Sequence, residues 1–323
     1  MDTPVYAAVD IGTNTTRLMI ARDAAGSLEV IERRQHITRL GEGIGDGTRR
    51  LLPGSIRRTV DALSSFRDIW RSLGVRKYRA VATAAARESE NGDDFIAAAR
   101  EAGVTVETIT PMEEARLAVR GIRGVVPLDN GIGVLVDVGG GSTEFILTTD
   151  GVVSEIVSTD LGVVRLRERY ITTYPPFPQS IIDLQNWLDN RVSLVYNQLN
   201  MSGGSRNAIF DGTDVYLVGT AGTATSLAAM DLNSVQYDPL KVDGYVVSRN
   251  AVSGFIACIS TLNQEEILNR YPILMKGRED VILPGMMIIA AVMDRFDASS
   301  LIVSDRELLE GIVEHLIHQS HTR

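Results

Sequence analysis

Residues 10–16, Asp-Ile-Gly-Thr-Asn-Thr-Thr, are echoed 127 positions later by residues 137–143, Asp-Val-Gly-Gly-Gly-Ser-Thr. Each copy closes an apolar strand with Asp-x-Gly, turns through small residues and re-enters an apolar strand. A spacing of about one domain length points to two related domains rather than a solenoid, and a chain of 323 residues is long enough for two cores. Glycine lets the backbone turn tightly and approach a ligand closely. Successive backbone N–H groups in such a turn form a concavity that suits an anion. Ser and Thr hydroxyls add donors, and an Asp at each strand end can hold a metal ion or a water. Two such loops facing one another would grip a phosphate chain. Either copy alone is equally compatible with an ordinary glycine-turned hairpin.

The pattern of elements is α/β. Val5–Ala21 reads as two strands joined at Gly12–Asn14, followed by a strand over Leu28–Thr38 and a glycine loop over Gly41–Gly47. From Pro53, residues Ile56, Val60, Leu63, Phe66, Trp70 and Leu73 recur at helical spacing. A strand over Tyr78–Thr83, a helix over Asp93–Glu101 and a strand over Val104–Ile109 lead to a helix opened by Pro111. Strands over Val134–Val138, Thr143–Leu147 and Ile156–Ser158 begin a second half, and Tyr174–Pro178 separates two helices. Ser202–Asp214 reads as a polar loop. A short strand, Val215–Val218, runs into the loop Gly219–Thr223. Helices fill most of Val252–Arg295, and Leu301–Val303 and Glu307–His318 give a last strand and helix. The expected domains are 1–125 and 126–304, with 305–323 a terminal helix that returns to the first.

A net charge of −9 argues against binding a nucleic-acid polymer or a membrane surface. It does not exclude a phosphate substrate, because a bound divalent cation supplies charge the chain lacks. The longest apolar run, Gly285–Met293, is far too short to span a bilayer, and no signal peptide is expected. The single cysteine, Cys258, lies in an apolar stretch and suits core packing and a cytoplasmic location.

Four further segments accompany the loops: Ala82–Arg87, Met112–Leu117, Val136–Glu144 and Arg278–Gly285. Together, in this order and spacing, they resemble the exopolyphosphatase / guanosine pentaphosphate phosphohydrolase family of the actin-like superfamily over essentially the whole chain. The family often has Gly-Ser-Asn-Ser where this chain has Gly12-Thr13-Asn14-Thr15, and Ser-Ala-Leu-Arg where it has Ala84-Ala85-Ala86-Arg87.

The resemblance implies the short form of that family. It would have two actin-like (ribonuclease H-like) domains, each a mixed sheet flanked by helices, with the active site in the cleft between them. It implies hydrolysis of terminal phosphate from polyphosphate or guanosine pentaphosphate (pppGpp), a divalent cation, Mg²⁺ or Mn²⁺, and a homodimer. Glu114 resembles the family's catalytic base. From the residues alone, Glu113 and Glu114 are acids in the first turn of a helix, where the dipole favours them. Asp10, Asp137 and Glu144 resemble the metal-associated carboxylates, with Glu144 a second catalytic candidate. Strand alternation leaves open whether Asp137 and Glu144 point the same way.

The phosphate contacts implied are Gly12, Thr13, Asn14, Thr15 and Arg87 in the first half. In the second they are Gly139, Gly140, Gly141, Ser142, Thr143, Gly219, Thr220, Gly222, Thr223 and Arg278. His315 and His318 share a helical face, which suits a metal pair less well than a solvated terminal helix. Two other activities remain consistent with the loops: phosphoryl transfer to a small acceptor, and alarmone sensing without turnover.

Overall fold

The structure, a computed structural model, describes residues 3–24, 27–44, 49–126, 128, 131–201, 210, 215–234, 236–272 and 274–321. The chain divides into two compact units, Met1–Gly124 with Glu307–Arg323, and Val125–Arg306.

Unit 1 opens with β1 (Val5–Ile11), β2 (Thr15–Ala24), β3 (Ser27–Ile37) and α1 (Pro53–Ser72). It continues through β4 (Lys77–Ala82), α2 (Ala84–Glu88), α3 (Gly92–Glu101), β5 (Val106–Thr108) and α4 (Pro111–Ile122). The sheet order is β3-β2-β1-β4-β5, with β1 to β3 antiparallel and β4 and β5 parallel to β1. Alternation along β1 feeds two cores. Ala7, Val9 and Ile11 join Leu63, Phe66 and Trp70 of α1 on one face, and Tyr6 and Ala8 face the other.

Unit 2 begins with β6 (Ile132–Val138), β7 (Thr143–Thr149), β8 (Val152–Thr159), α5 (Val163–Tyr170) and α6 (Pro178–Met201). Next come β9 (Val215–Thr220), α7 (Ala221–Asp231), α8 (Pro239–Val242), β10 (Val246–Ser248) and α9 (Arg249–Ile259). The unit ends with α10 (Gln264–Arg270), α11 (Ile282–Arg295) and β11 (Ser300–Val303). Its sheet runs β8-β7-β6-β9-β11-β10. The first three strands are antiparallel, and β9 and β11 continue parallel to β6. This repeats the plan of unit 1 with β10 added at the edge. The shared order, third-second-first-fourth-fifth, is the ribonuclease H-like arrangement of actin-like domains.

The chain then returns to unit 1 as α12 (Leu308–His321), whose Leu309, Ile312 and Val313 cover the second face of the sheet. α12 meets α4 at backbone contact. A Cβ on Gly311 would lie 1.8 Å from the Leu117 carbonyl oxygen, and one on Gly121 would lie 2.3 Å from that of Glu307.

Several elements depart from the expected pattern, among them the short helices α2 and α8, which were not expected. Gly219–Thr223 is not a loop: β9 runs through Thr220 and α7 starts at Ala221. Every residue from Thr223 to Met230 is buried, so α7 has no polar face and no helical period to read. β10, Val246–Ser248, is only three residues long, too short for its alternation to be read from the sequence. Most of the expected loop Ser202–Asp214, and the end of the loop Gly41–Gly47, fall outside the described residues. Among the described residues no helix is long and apolar enough to cross a membrane.

Candidate functional site

The two echoed loops are the same turn. Gly12 N donates to Thr15 O at 2.9 Å, and Gly139 N donates to Ser142 O at 2.9 Å. Each turn is pinned from outside. In unit 1, the Thr13 carbonyl accepts from Gly41 N and the Asn14 carbonyl from Arg39 N, both at 2.9 Å. In unit 2, the carbonyls of Gly139 and Gly140 accept from Val163 N and Val164 N, at 3.1 and 3.0 Å, at the start of α5. Gly162 presses against this turn so closely that a Cβ there would lie 2.3 Å from the Gly141 carbonyl carbon. Thr13, Asn14, Gly140 and Gly141 are exposed at the tips, with Thr15 and Ser142 half-buried behind them.

One expected phosphate donor has another task. Thr143 is fully buried and its hydroxyl donates to the Leu161 carbonyl. The matching Thr16 is equally buried, with its Oγ1 2.9 Å from Thr38 Oγ1. These hydroxyls brace the turns from behind.

The carboxylates differ between the units. Strand register pairs Asp10 with Arg17 and Asp137 with Glu144. Arg17 donates through Nε and Nη2 to Asp10 Oδ2, at 3.0 and 2.8 Å, and through Nη1 to Glu307 Oε2 at 2.7 Å. Burial pushes the Asp10 carboxyl up from the ordinary range, against the pull of Arg17. Burial also opposes the charge on Arg17, but Glu307 and Asp10 outweigh it and raise its pKa. Both hydrogen bonds fall on Oδ2, so a cation at Asp10 would share its carboxylate with this guanidinium.

Glu144 is different. Direct cross-strand partners project from the same face with Cβ atoms about 4.5–5.5 Å apart, so register answers what alternation left open. Ser158 Oγ donates to Glu144 at 2.8 Å. Among the described residues no cluster of three or more His, Cys, Asp or Glu could hold a metal. Two carboxylates nevertheless fit Mg²⁺, which keeps several waters and is bound through one or two carboxylates together with substrate phosphates.

Glu114 and Arg87 meet in unit 1. Pro111 and the Thr110 cap, whose Oγ1 accepts from Glu113 N at 3.2 Å, set the start of α4. Arg87, at the end of α2, donates through Nη1 to Glu114 Oε2 at 3.3 Å and to the Ile109 carbonyl at 3.0 Å. Glu113 turns elsewhere, to Arg79 Nη2 at 3.3 Å. The two adjacent glutamates therefore have separate partners.

The third expected loop divides in the same way. Gly219 is a packing position, where a Cβ would lie 2.8 Å from that of Ala224, and Thr223 is buried against Gly285. Thr220 is buried at the cap of α7, and Ala221 takes a left-handed φ of 60°. Arg278 lies across Gly222, where a Cβ would come within 2.9 Å of the guanidinium. Its Nη1 donates to the Gly222 carbonyl at 2.8 Å and to Ser226 Oγ at 2.9 Å. Ser226 and Arg17 had not been singled out in the sequence. The echo carried a signal for Arg17, since it follows Asp10 by the same interval as Glu144 follows Asp137.

Comparison with known proteins bears on this arrangement. The model of the Ppx/GppA phosphatase family matches residues 19–320. The chain is 31% identical over 320 residues to exopolyphosphatase 2 of Mycobacterium tuberculosis, covering 95% of this chain and 96% of that protein. A crystal structure of the Aquifex aeolicus Ppx/GppA family member is similar, with a TM-score of 0.86 and 31% identity over 99% of each chain. An exopolyphosphatase from Cytophaga hutchinsonii, 24% identical over 98% of each chain, shares the fold with a TM-score of 0.78.

Proposed function

Because the chain belongs to the Ppx/GppA phosphatase family, we propose that it hydrolyses the terminal phosphoanhydride of inorganic polyphosphate. Guanosine pentaphosphate, which ends in the same bond, would be a second substrate. The observation that carries this reading is the contact of Glu114 with Arg87 at 3.3 Å. It joins a carboxylate able to take a proton from water to a cation able to hold a phosphate oxygen.

In this reading the water oxygen attacks the terminal phosphorus and the bond to the bridging oxygen breaks. Glu114 receives the water proton, and Arg87 binds the transferred phosphoryl group, whose charge is spread over three oxygens. The turns Gly12–Thr15 and Gly139–Ser142 offer backbone N–H groups and hydroxyls to the phosphates. Arg278 orders the start of α7. Asp137 and Glu144 would hold a divalent cation, Mg²⁺ or Mn²⁺, which when bound offsets charge on the polyanion. Asp10 is a positioning residue that fixes the first turn through Arg17. A cytoplasmic homodimer belongs to the same proposal and rests on the family resemblance.

Phosphate release from short polyphosphate, long polyphosphate, pppGpp and ATP, each with Mg²⁺ and with Mn²⁺, tests this. Cation-dependent release from polyphosphate is expected. Consumption of ATP only when an acceptor is present would replace hydrolysis by phosphoryl transfer. Tight pppGpp binding without turnover would replace it by sensing.

A further inference from the structure

Unit 2 has a polar cavity of about 370 Å³, lined by Arg167, Thr172, Thr173, Tyr174, Asn263, Gln264 and Glu265. None of these residues has a part in the reaction proposed above. The Nε of Arg167 is buried and has no hydrogen-bond partner among the described residues. Its nearest acid, Asp280 Oδ2, lies 3.6 Å away, beyond hydrogen-bond reach. Buried donors are normally paired, and the long ion pair with Asp280 leaves hydrogen-bonding capacity unused on the Arg167 side chain that lines the cavity.

Much of the remaining lining is already engaged. Asn263 Oδ1 accepts from Glu266 N at 2.9 Å. Tyr174 OH donates to the Asp280 carbonyl at 3.1 Å, and Thr173 Oγ1 donates to that of Pro175 at 3.2 Å. The Arg167 guanidinium, held among the described residues only by its ion pair with Asp280 at 3.6 Å, can turn to a ligand together with the Thr172 hydroxyl, the Gln264 amide and the Glu265 carboxylate. A guanidinium with hydroxyl neighbours suits a tetrahedral oxyanion. A carboxylate in the same wall repels an ion that has no proton to offer, yet accepts a hydrogen bond from one that has. At neutral pH every orthophosphate ion still carries a proton, and sulfate carries none.

We propose that this cavity is a binding site for hydrogen phosphate, with Arg167 as its cationic anchor and Glu265 as the group that selects phosphate over sulfate. The site is wired to the phosphate loops of the same unit. Asp280, the acid nearest Arg167, is two residues from Arg278, which lies across Gly222. Phosphate in the cavity competes with Asp280 for Arg167, and so acts on the segment that carries Arg278.

The binding test needs no turnover, so its failure is separable from failure of the proposed reaction. The full-length protein, free of divalent cation and substrate, is titrated calorimetrically with orthophosphate, sulfate and tripolyphosphate. Arg167→Gln is expected to weaken orthophosphate binding by about tenfold or more. Wild type should prefer phosphate to sulfate, and Glu265→Gln should narrow that preference. Unchanged orthophosphate binding by Arg167→Gln, or equal affinity of wild type for both ions, overturns the proposal. A dependence on Arg167 seen only with tripolyphosphate assigns the cavity to the far end of a bound chain and overturns the free-ion reading. Should Arg167→Gln not fold, Thr172→Val decides. A loss of about two- to tenfold supports the site, and no change overturns it. In the active enzyme, added phosphate should lower kcat in a way that Arg167→Gln abolishes. Inhibition of wild type that only raises KM overturns the link to Arg278.

Discussion

Arg17 and Glu144 hold the same position in two copies of one hairpin. Each is the direct cross-strand partner of the aspartate, Asp10 or Asp137, that ends the preceding part of the hairpin. Opposite Asp10 the position carries a cation and closes an ion pair at 2.8 Å. Opposite Asp137 it carries a second carboxylate. One backbone plan thus yields an electrostatically closed turn in unit 1 and a pair of adjacent carboxylates in unit 2. Adjacent carboxylates attract a cation, and this asymmetry is why the proposed function places its divalent ion at Asp137 and Glu144 rather than at Asp10.

Asp137→Asn and Glu144→Gln should therefore raise the Mg²⁺ concentration needed for half-maximal phosphate release, by about tenfold or more if a direct ligand is lost. Asp10→Asn should leave that concentration near the wild-type value, whatever it does to the maximal rate. A cation titration of the three variants checks this. A shift confined to Asp10→Asn would move the ion to unit 1.

Arg17→Gln should destabilise unit 1. It removes both hydrogen bonds to Oδ2 of the buried Asp10 carboxylate and breaks the contact with Glu307 at the entry to α12. Breaking a buried pair costs on the order of 3 kcal/mol, which urea unfolding can measure. Glu307→Gln leaves the Asp10 pair intact and should cost less. Equal losses in the two variants would show that the contact with α12, rather than the Asp10 pair, carries the stability.

Much of this was legible in the sequence because turns and apolar strands are local signals. Asp-x-Gly at two strand ends fixed where the loops fall, and Pro111 fixed where α4 begins. The residues that escaped notice depend on distant parts of the chain. Arg17 reads as one charge on a strand until Glu307, 290 residues later, is brought to it. Thr143 reads as a phosphate donor until the Leu161 carbonyl is seen to accept its hydrogen bond. α7 was hidden for the opposite reason: buried on nearly every side, it shows no amphipathic rhythm. The choice between Glu113 and Glu114 is not local either, since it rests on Arg79 and Arg87 arriving from other elements.

Stability should also depend on pH through α12. Burial, then Arg79 and Arg120, push the His315 imidazolium below its ordinary pKa, against the opposing pull of Glu113 and Glu107. A base with a depressed folded pKa contributes stability that is complete above its unfolded value, about 6.5, and is lost as pH falls through the lowered folded value. The thermal midpoint should therefore drop as the solution is acidified below about pH 6.5, and His315→Gln should flatten part of that fall. Parallel curves for wild type and variant would remove His315 from the account.

In the proposed reaction Glu114 serves as the base and Glu113 does not. The most direct measurement is the steady-state kinetics of phosphate release from polyphosphate by Glu114→Gln beside Glu113→Gln. Glutamine keeps the shape of the side chain and removes the basic oxygen, so kcat of Glu114→Gln should fall by about 10² to 10⁴ with KM little changed. Glu113→Gln, which disturbs the contact with Arg79 and leaves that of Glu114 with Arg87, should stay near wild type. Loss of turnover in Glu113→Gln with Glu114→Gln near wild type would contradict the account, and so would wild-type turnover in both.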